Sequence, residues 1–346
     1  MSGSGGGTAT ELAELAELDQ AVPRLGVAEA APDVSGLGRG RAVSFLVPAM
    51  LLIAVFLVFP AVFTLYIGLT NYQLTGAAAR SPQVVWLANY REALTDPGFR
   101  NALWLTVLFV FGSAVIGQNA LGFGLAWAAR RAVGWLRRLV EALVLLAWVL
   151  PGSVVAFLWI ALLDRDEGTL NALLHTPGTA WLVDHPMASI VIFNIWRGTA
   201  FSMLLYGAAL ASVPPSHLET ARLAGSSGLQ TLRDVVFPHV RGHALTNTLL
   251  ITLWTFNDFT PYLITAGGPN HRSETLPVYV YNTALSVSGG RMGYGAAVSV
   301  LILVVNLLLA LFYLRLLRGS SRRSSSYRAS RRSTSDDNSM IGGAER

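Results

Sequence analysis

Six long apolar stretches constrain this chain more than any other feature. They are Ser44–Leu69, Ala102–Ala129, Leu139–Leu163, Ala188–Ala211, Ala244–Thr265 and Ala296–Leu317. A bilayer-spanning helix needs about 20 mostly apolar residues, because in hydrocarbon only a helix or a closed barrel satisfies its own backbone. Period-2 alternation is weak in all six, which argues against a barrel. Composition agrees: 53% of the residues are apolar and 13% charged, against about 25% charged in a soluble domain. An ordinary water-soluble enzyme is excluded. The expected fold is an all-α integral membrane protein with six transmembrane helices. The chain has no Cys, hence no disulfide, thiolate metal site or Cys nucleophile. The first apolar run is longer than a signal-peptide core and follows about forty polar residues, so it reads as a retained span.

Six spans put both termini on one side. With the N-terminus inside, eighteen of the 25 basic residues (all arginine) fall in inner segments, six in outer loops, and Arg197 within a span. Without the eight from Arg315 onward the balance is still ten to six. The positive-inside rule then places both termini in the cytoplasm of a multi-pass cell-membrane protein. Three regions follow: a disordered segment 1–42, a six-span transmembrane domain 43–318, and a disordered Ser/Arg-rich tail 319–346 with too few apolar residues to bury a core. The arginines of that tail read as a solvated charged segment, with contact to anionic lipid headgroups as the alternative.

The inner loop between spans four and five, Val213–Arg241, is long for a simple connection. Ser216 and Glu219 have capping-box spacing, as do Ser227 and Gln230. A first helix, Leu218–Ala224, is expected to stop at Gly225, and a second to end near Phe237 because Pro238 follows. These residues make a compact two-helix element. Glu219-Thr220-Ala221, Gly225 and Val235-Val236-Phe237-Pro238 resemble the E-A-A…G…I-x-L-P loop of binding-protein-dependent ABC importer permeases. Thr220, Ala224, Val235 and Phe237 depart from the commonest residues, but cap, Gly and Pro remain. The resemblance implies that Ser216, Glu219, Ala221, Gly225, Val235, Phe237 and Pro238 form a cytoplasmic coupling loop. In that family the loop fits a cleft on the ATPase subunit.

Other stretches resemble the carbohydrate branch, in its maltose-F-like and glycerol-3-phosphate-like half. They are Asn89-Tyr90…Asp96…Phe99-Arg100-Asn101-Ala102, Trp196-Arg197, Ala266-Gly267-Gly268-Pro269 with Ser273-Glu274-Thr275-Leu276 and Tyr279-Val280-Tyr281, and Arg291–Ala297. The resemblance covers about residues 43–318. It implies a second permease subunit of similar type, an ABC ATPase dimer, an extracytoplasmic solute-binding protein, and import of a sugar or sugar derivative. Another small solute carried by the same machinery is the nearest alternative. An intramembrane enzyme or a passive channel are rivals from other classes.

Polar groups inside spans need a partner or a task, since a carboxylate at mid-bilayer costs about 2.5–3.5 kcal/mol even on insertion scales. Asn257 and Asp258 read as mid-span five. With Thr255, Tyr262 and Arg197 they are substrate-pathway candidates; interhelical hydrogen bonding is the equal alternative for Asn257 and Asp258. Arg197 lies too deep to reach water easily and is expected to pair with Asp258. Gln118 and Asn119 read as interhelical hydrogen-bonding groups, Glu141 as a local ion-pair partner of Arg137 or Arg138 at helical spacing, and most tryptophans, Trp148 among them, as interfacial. No P-loop, HExxH or G-x-S-x-G motif occurs. No catalytic residue, bound cofactor, metal or nucleic-acid partner is expected on this chain, with ATP bound by a partner subunit.

Overall fold

Apolar surroundings leave the backbone of this chain little choice but to bond to itself along helices. The structure, a computed structural model, describes residues 39–285 and 290–341, with side chains for 44–285 and 290–317. Within that range the strand-like pairing is limited to one isolated bridge, Thr70 with Val84. The chain divides into two units, 1–61 and 62–346. In the first, the described residues are helical, with Pro48 inside the helix and a π-type turn at Ala54–Val58. Its apolar side chains, Phe45, Phe56 and Leu57 among them, are exposed, as on a helix whose solvent is hydrocarbon. Residues 1–38 and 342–346, where disordered ends are expected, lie outside the described range.

Among the described residues the chain forms the helices α1 (Ser44–Gly68), α2 (Ala88–Thr95), α3 (Pro97–Ala129), α4 (Gly134–Val149), α5 (Gly152–Leu162), α6 (Pro186–Ala211), α7 (Pro215–Leu223), α8 (228–256), α9 (Thr260–Thr265), α10 (Leu276–Ala284) and α11 (Met292–Ile341). Among the described residues, α1, α3, α6 and the Met292–Leu317 part of α11 are each long and apolar enough to cross a membrane. The backbone of α11 continues to Ile341, into the stretch for which a disordered tail is expected.

Two expected spans are not single helices. Leu139–Leu163 is broken, and α4 meets α5 at 105°. Leu150 is extended (ψ 134°) just before Pro151, as the proline ring requires of the residue preceding it. The fifth segment is interrupted as well. Helix α8 ends at Phe256 and α9 begins at Thr260, so Asn257 and Asp258 sit in a break and not in mid-helix.

Helices α3 and α6 pack closely along small residues. A Cβ on Gly122 would land on Ser202, and one on Gly198 on the Gln118 side chain. Close backbone approach of this kind is how helices associate where no hydrophobic force drives them together. Polar side chains join the same helices to α8. Gln118 Nε2 donates to the Asn194 carbonyl at 3.0 Å, and Asn194 Nδ2 to Ser113 Oγ at 2.6 Å. Asn247 Nδ2 donates to Asn119 Oδ1 and to Ser202 Oγ, both at 3.0 Å. Gln118 and Asn119 are therefore interhelical, as expected. Each such bond contributes about 0.6 kcal/mol on average in a bilayer.

Loops assigned to one side gather at one end of the second unit. The turn after α3 lines one cavity with the 213–241 loop, Arg131 with Leu218 and Arg222, and Arg130 Nη1 donates to the Leu210 carbonyl at the end of α6 at 3.1 Å. At the other end Arg291 grips both carboxylate oxygens of Glu92 at 2.6 and 2.7 Å, and Asn101 donates to the His271 carbonyl at 3.2 Å.

Candidate functional site

The break between α8 and α9 opens onto a cavity of about 610 Å³. Its polar wall carries Gln118, Asn194, Arg197, Thr255, Asn257 and Asp258. Asp258 closes the break locally, since its Oδ1 accepts from the Thr260 amide at 2.9 Å and the Thr260 hydroxyl at 2.6 Å. Arg197 approaches from α6. Its Nη1 lies 4.0 Å from Asp258 Oδ2 and donates to Thr260 Oγ1 at 3.3 Å. The expected Arg197–Asp258 pair is thus formed at its outer limit, with Thr260 bridging it. The guanidinium also lies so close to Gly152, first residue after the α4–α5 bend, that a Cβ there would come within 2.9 Å of Nη2. The bend and the arginine occupy one place.

An aromatic wall completes the cavity. The Trp148 ring lies 5.4 Å from both Phe201 and Trp254, and Phe201 4.9 Å from Trp254. Trp148 therefore belongs to the cavity lining and not to an interfacial belt. Its position on α4 depends on the 105° bend, which periodicity does not encode. Asn257 reaches the other way too, and exchanges hydrogen bonds with Asn306 at 3.1 Å. Of the five pathway candidates, Arg197, Thr255, Asn257 and Asp258 converge on the cavity. Tyr262 does not line it; its ring stacks on Phe259 at 4.9 Å and lies tilted 4.5 Å from Tyr281. Sequence reasoning missed Asn194, Phe201, Trp254 and Phe259. An Asn in an apolar run was the available signal for Asn194 alone.

The 213–241 loop turns at Gly225 between a short helix and the start of a long one. Helix α7 starts at Pro215 with Pro214 as its N-cap and no side-chain cap. Ser216 therefore sits inside the first turn, where its carbonyl accepts from the Thr220 hydroxyl at 2.9 Å, and the expected Ser216–Glu219 box is absent. The pre-formed φ of two consecutive prolines wins the helix start. Gly225 takes φ +75°, the left-handed stop that suits glycine. The Ser227–Gln230 box is present. The second helix does not end near Phe237. A π-type turn at Thr231–Val236 widens the ladder where Pro238 would strike the carbonyl four residues back, and the helix continues to Phe256. Ala221 and Val236 are buried, the latter against Val240, Met203 and Leu210. Glu219, Phe237 and Pro238 are exposed, and Val235 is half-buried. Leu223 and Leu229 stand 90% and 75% exposed on either side of Gly225.

Of the motif stretches outside the loop, Trp196-Arg197 reaches the cavity through Arg197, while residues of the others meet at one end of the bundle. Asp96 caps α3 through the Gly98 amide at 2.7 Å and accepts from Tyr279 and Tyr294 hydroxyls at 2.7 and 2.9 Å. Burial pushes the Asp96 carboxyl up, but these hydrogen bonds, Tyr279 first, outweigh it and hold it below the usual carboxylate range. Burial and the same partners push the Tyr279 hydroxyl up. Asn89 donates to the Gly68 and Thr70 carbonyls at 2.9 and 2.8 Å. Glu274, buried, accepts from Asn282 at 2.6 Å and meets His271 at 2.8 Å. These residues hold the end of the bundle together. Among the described residues no three His, Asp or Glu side chains group as metal ligands.

Comparison with known proteins gives four further findings. A family profile described as "Binding-protein-dependent transport system inner membrane component" matches residues 119–322. The sn-glycerol-3-phosphate transport system permease protein of Agrobacterium fabrum is 28% identical over 78% of this chain and 91% of its own. The sulfoquinovosyl glycerol transport system permease protein of the same organism is 26% identical, over 80% and 90%. A chain of a bacterial ABC transporter involved in the import of the acidic polysaccharide alginate shares the fold, with TM-score 0.63 and 18% identity over 80% of this chain and 94% of that one.

Proposed function

We propose, for a chain that belongs to the family of binding-protein-dependent transport system inner membrane components, that the solute it passes is a sugar or sugar derivative. Membership makes the chain a membrane-embedded permease subunit of an ABC importer, a transport component and not an enzyme. The observation that carries the solute class is the cavity. An aromatic wall of Trp148, Phe201 and Trp254 faces donors and acceptors on Arg197, Asn257 and Asp258. A sugar ring offers an apolar face to such a wall and hydroxyls to such groups. The relatives named for glycerol-3-phosphate and for sulfoquinovosyl glycerol support the same class.

In this reading the six segments form one multi-pass domain with both termini cytoplasmic, paired with a second permease subunit. ATP is bound by a partner ATPase dimer, and a solute-binding protein delivers the sugar from outside. The 213–241 loop docks on the ATPase through its exposed Leu223 and Leu229. Helix α8 starts at that loop and ends beside Asn257, so one rigid rod of 29 residues, about 43 Å long, joins the docking surface to the cavity. Tilting the rod moves the break, as alternating access around a midplane site requires.

The test is uptake by the reconstituted importer of a panel of labelled sugars, sugar phosphates and amino acids, with Trp254→Ala and Asp258→Asn beside the native chain. Sugar uptake that both variants reduce at least tenfold, with the ATPase still co-purifying, is expected. Uptake of an amino acid and of no sugar would overturn the solute class. Loss of the ATPase only when 216–238 is deleted is expected of the docking surface.

A further inference from the structure

At the end of the bundle that gathers the 130–138 turn and the 213–241 loop, two adjoining cavities share one arginine. The first, about 260 Å³, is lined by Arg130, Arg131 and Arg222 together with Ser226, Gly228 and Thr231. The second, about 510 Å³, runs between α3, α4 and α6 and includes Arg130 again. Its α6 wall is Leu204, Gly207, Ala208 and Ala211, which fall on one helical face at i, i+3, i+4 and i+7. A Cβ placed on Gly207 would meet nothing within 4 Å, so the groove is open over that residue.

The charges in the two cavities do not cancel. Glu141 is the one carboxylate among the lining residues, and Arg137 holds it at 2.8 Å. Arg130 donates to the Leu210 carbonyl, and Arg131 lies 5.0 Å over the Trp127 ring. Neither is matched by an acid, and no ion pair is formed by Arg222 among the described residues. The opening turn of α8, with Ser227 as N-cap and Gly228 on the cavity wall, adds the positive end of a helix to the same place. An arginine pocket continuous with an apolar groove is complementary to a molecule with an anionic head and an acyl chain.

We propose that this pair of cavities is a binding site for an anionic phospholipid, its phosphate among Arg130, Arg131 and Arg222 and one acyl chain in the groove over Gly207. The site touches both the base of α3 and the loop that begins α8, so an occupied site ties the loop to the membrane surface. The assignment to the cytoplasmic leaflet rests on the orientation given under Proposed function.

The test is native mass spectrometry of the full-length protein in mild detergent. The probes are phosphatidylglycerol, phosphatidylcholine with the same chains, and inorganic phosphate. Retention of phosphatidylglycerol over both others is expected. The double variant Arg131→Gln/Arg222→Gln should bind it roughly thirtyfold more weakly, at about fivefold per arginine near a membrane surface. Gly207→Leu, whose Cβ would meet no atom within 4 Å, puts an apolar side chain into the groove and should weaken phosphatidylglycerol independently of the arginines. Equal retention of phosphatidylcholine, unchanged binding in either variant, or phosphate bound as well as the lipid would overturn the site. The orientation is read separately, with Leu223→Cys in this cysteine-free chain and a membrane-impermeant maleimide. Labelling of intact spheroplasts would refute the cytoplasmic placement while leaving a lipid site on the opposite leaflet.

Discussion

Neutralising Arg197 and Asp258 singly and together measures what holds the broken fifth segment at the cavity. The charges are 4.0 Å apart, with side chains 30% and 16% exposed. At that distance the attraction is about 4 kcal/mol for an effective dielectric of about 20 and about 1 kcal/mol in water. Desolvation removes much of the larger figure, and exposed pairs contribute only about 0.2–1 kcal/mol. A net coupling of about 1–2 kcal/mol is therefore expected between Arg197→Gln and Asp258→Asn. Asp258→Asn keeps an Oδ1 able to accept from the Thr260 amide and hydroxyl, so it removes charge alone. Asp258→Ala also removes that turn-closing acceptor and should be about 1 kcal/mol less stable than Asp258→Asn. The assay is unfolding of the purified protein in mixed micelles by graded SDS, for the native chain, both singles and the double. Coupling below about 0.3 kcal/mol would show that the charges act independently and that Thr260, not the ion pair, sets the break.

Three further outcomes are expected. Gly225→Val should lower transport and leave membrane insertion intact, because φ is +75° and an added Cβ meets no atom; the penalty is backbone strain of about 1–2 kcal/mol. Gly225→Asn should be milder, and full transport by the Val variant in an uptake assay would refute the hinge. Gly122→Leu should abolish stable protein, since its Cβ would meet the Ser202 Cβ and the Met203 backbone amide, and overpacking costs about 1–3 kcal/mol before backbone shifts are added. Detergent size-exclusion of the variant reads the result. Asp96 has a folded carboxyl held low, so its stabilisation is complete above the unfolded carboxyl pKa and is lost as pH falls through the folded value. Tyr279→Phe removes its first-named hydrogen bond and should move that acid loss to higher pH, read as thermal stability in detergent from pH 2 to 6.

Much of the permease was legible from residues alone. The Ser227–Gln230 box, the left-handed Gly225, the Arg137–Glu141 pair and the Arg197–Asp258 pair all rest on contacts between near neighbours or on the scarcity of charge in lipid. The Ser216–Glu219 box fails because Pro214-Pro215 begins the helix first. Pro238 fails as a stop because a π-type turn absorbs it. In both cases one local signal overrides another, and sequence supplies no scale on which to rank them.

The long apolar runs, and the capping and glycine signals of the 213–241 loop, thus determined that the chain is helical, membrane-embedded and equipped with a two-helix loop. The first depend on the solvent a segment meets, which its own composition states, and the second on near neighbours in the chain. Tertiary structure decided where the cavity lies. The 105° bend at Pro151 swings Trp148 toward Phe201 and Trp254, and the end of α8 at Phe256 frees Asp258 to meet Arg197. It also decided that Asp96, Tyr279 and Tyr294, distant in sequence, serve one structural junction. Such meetings depend on the directions of bends and on which helices become neighbours. Those are set by side-chain packing across the whole bundle, and no window of sequence contains them.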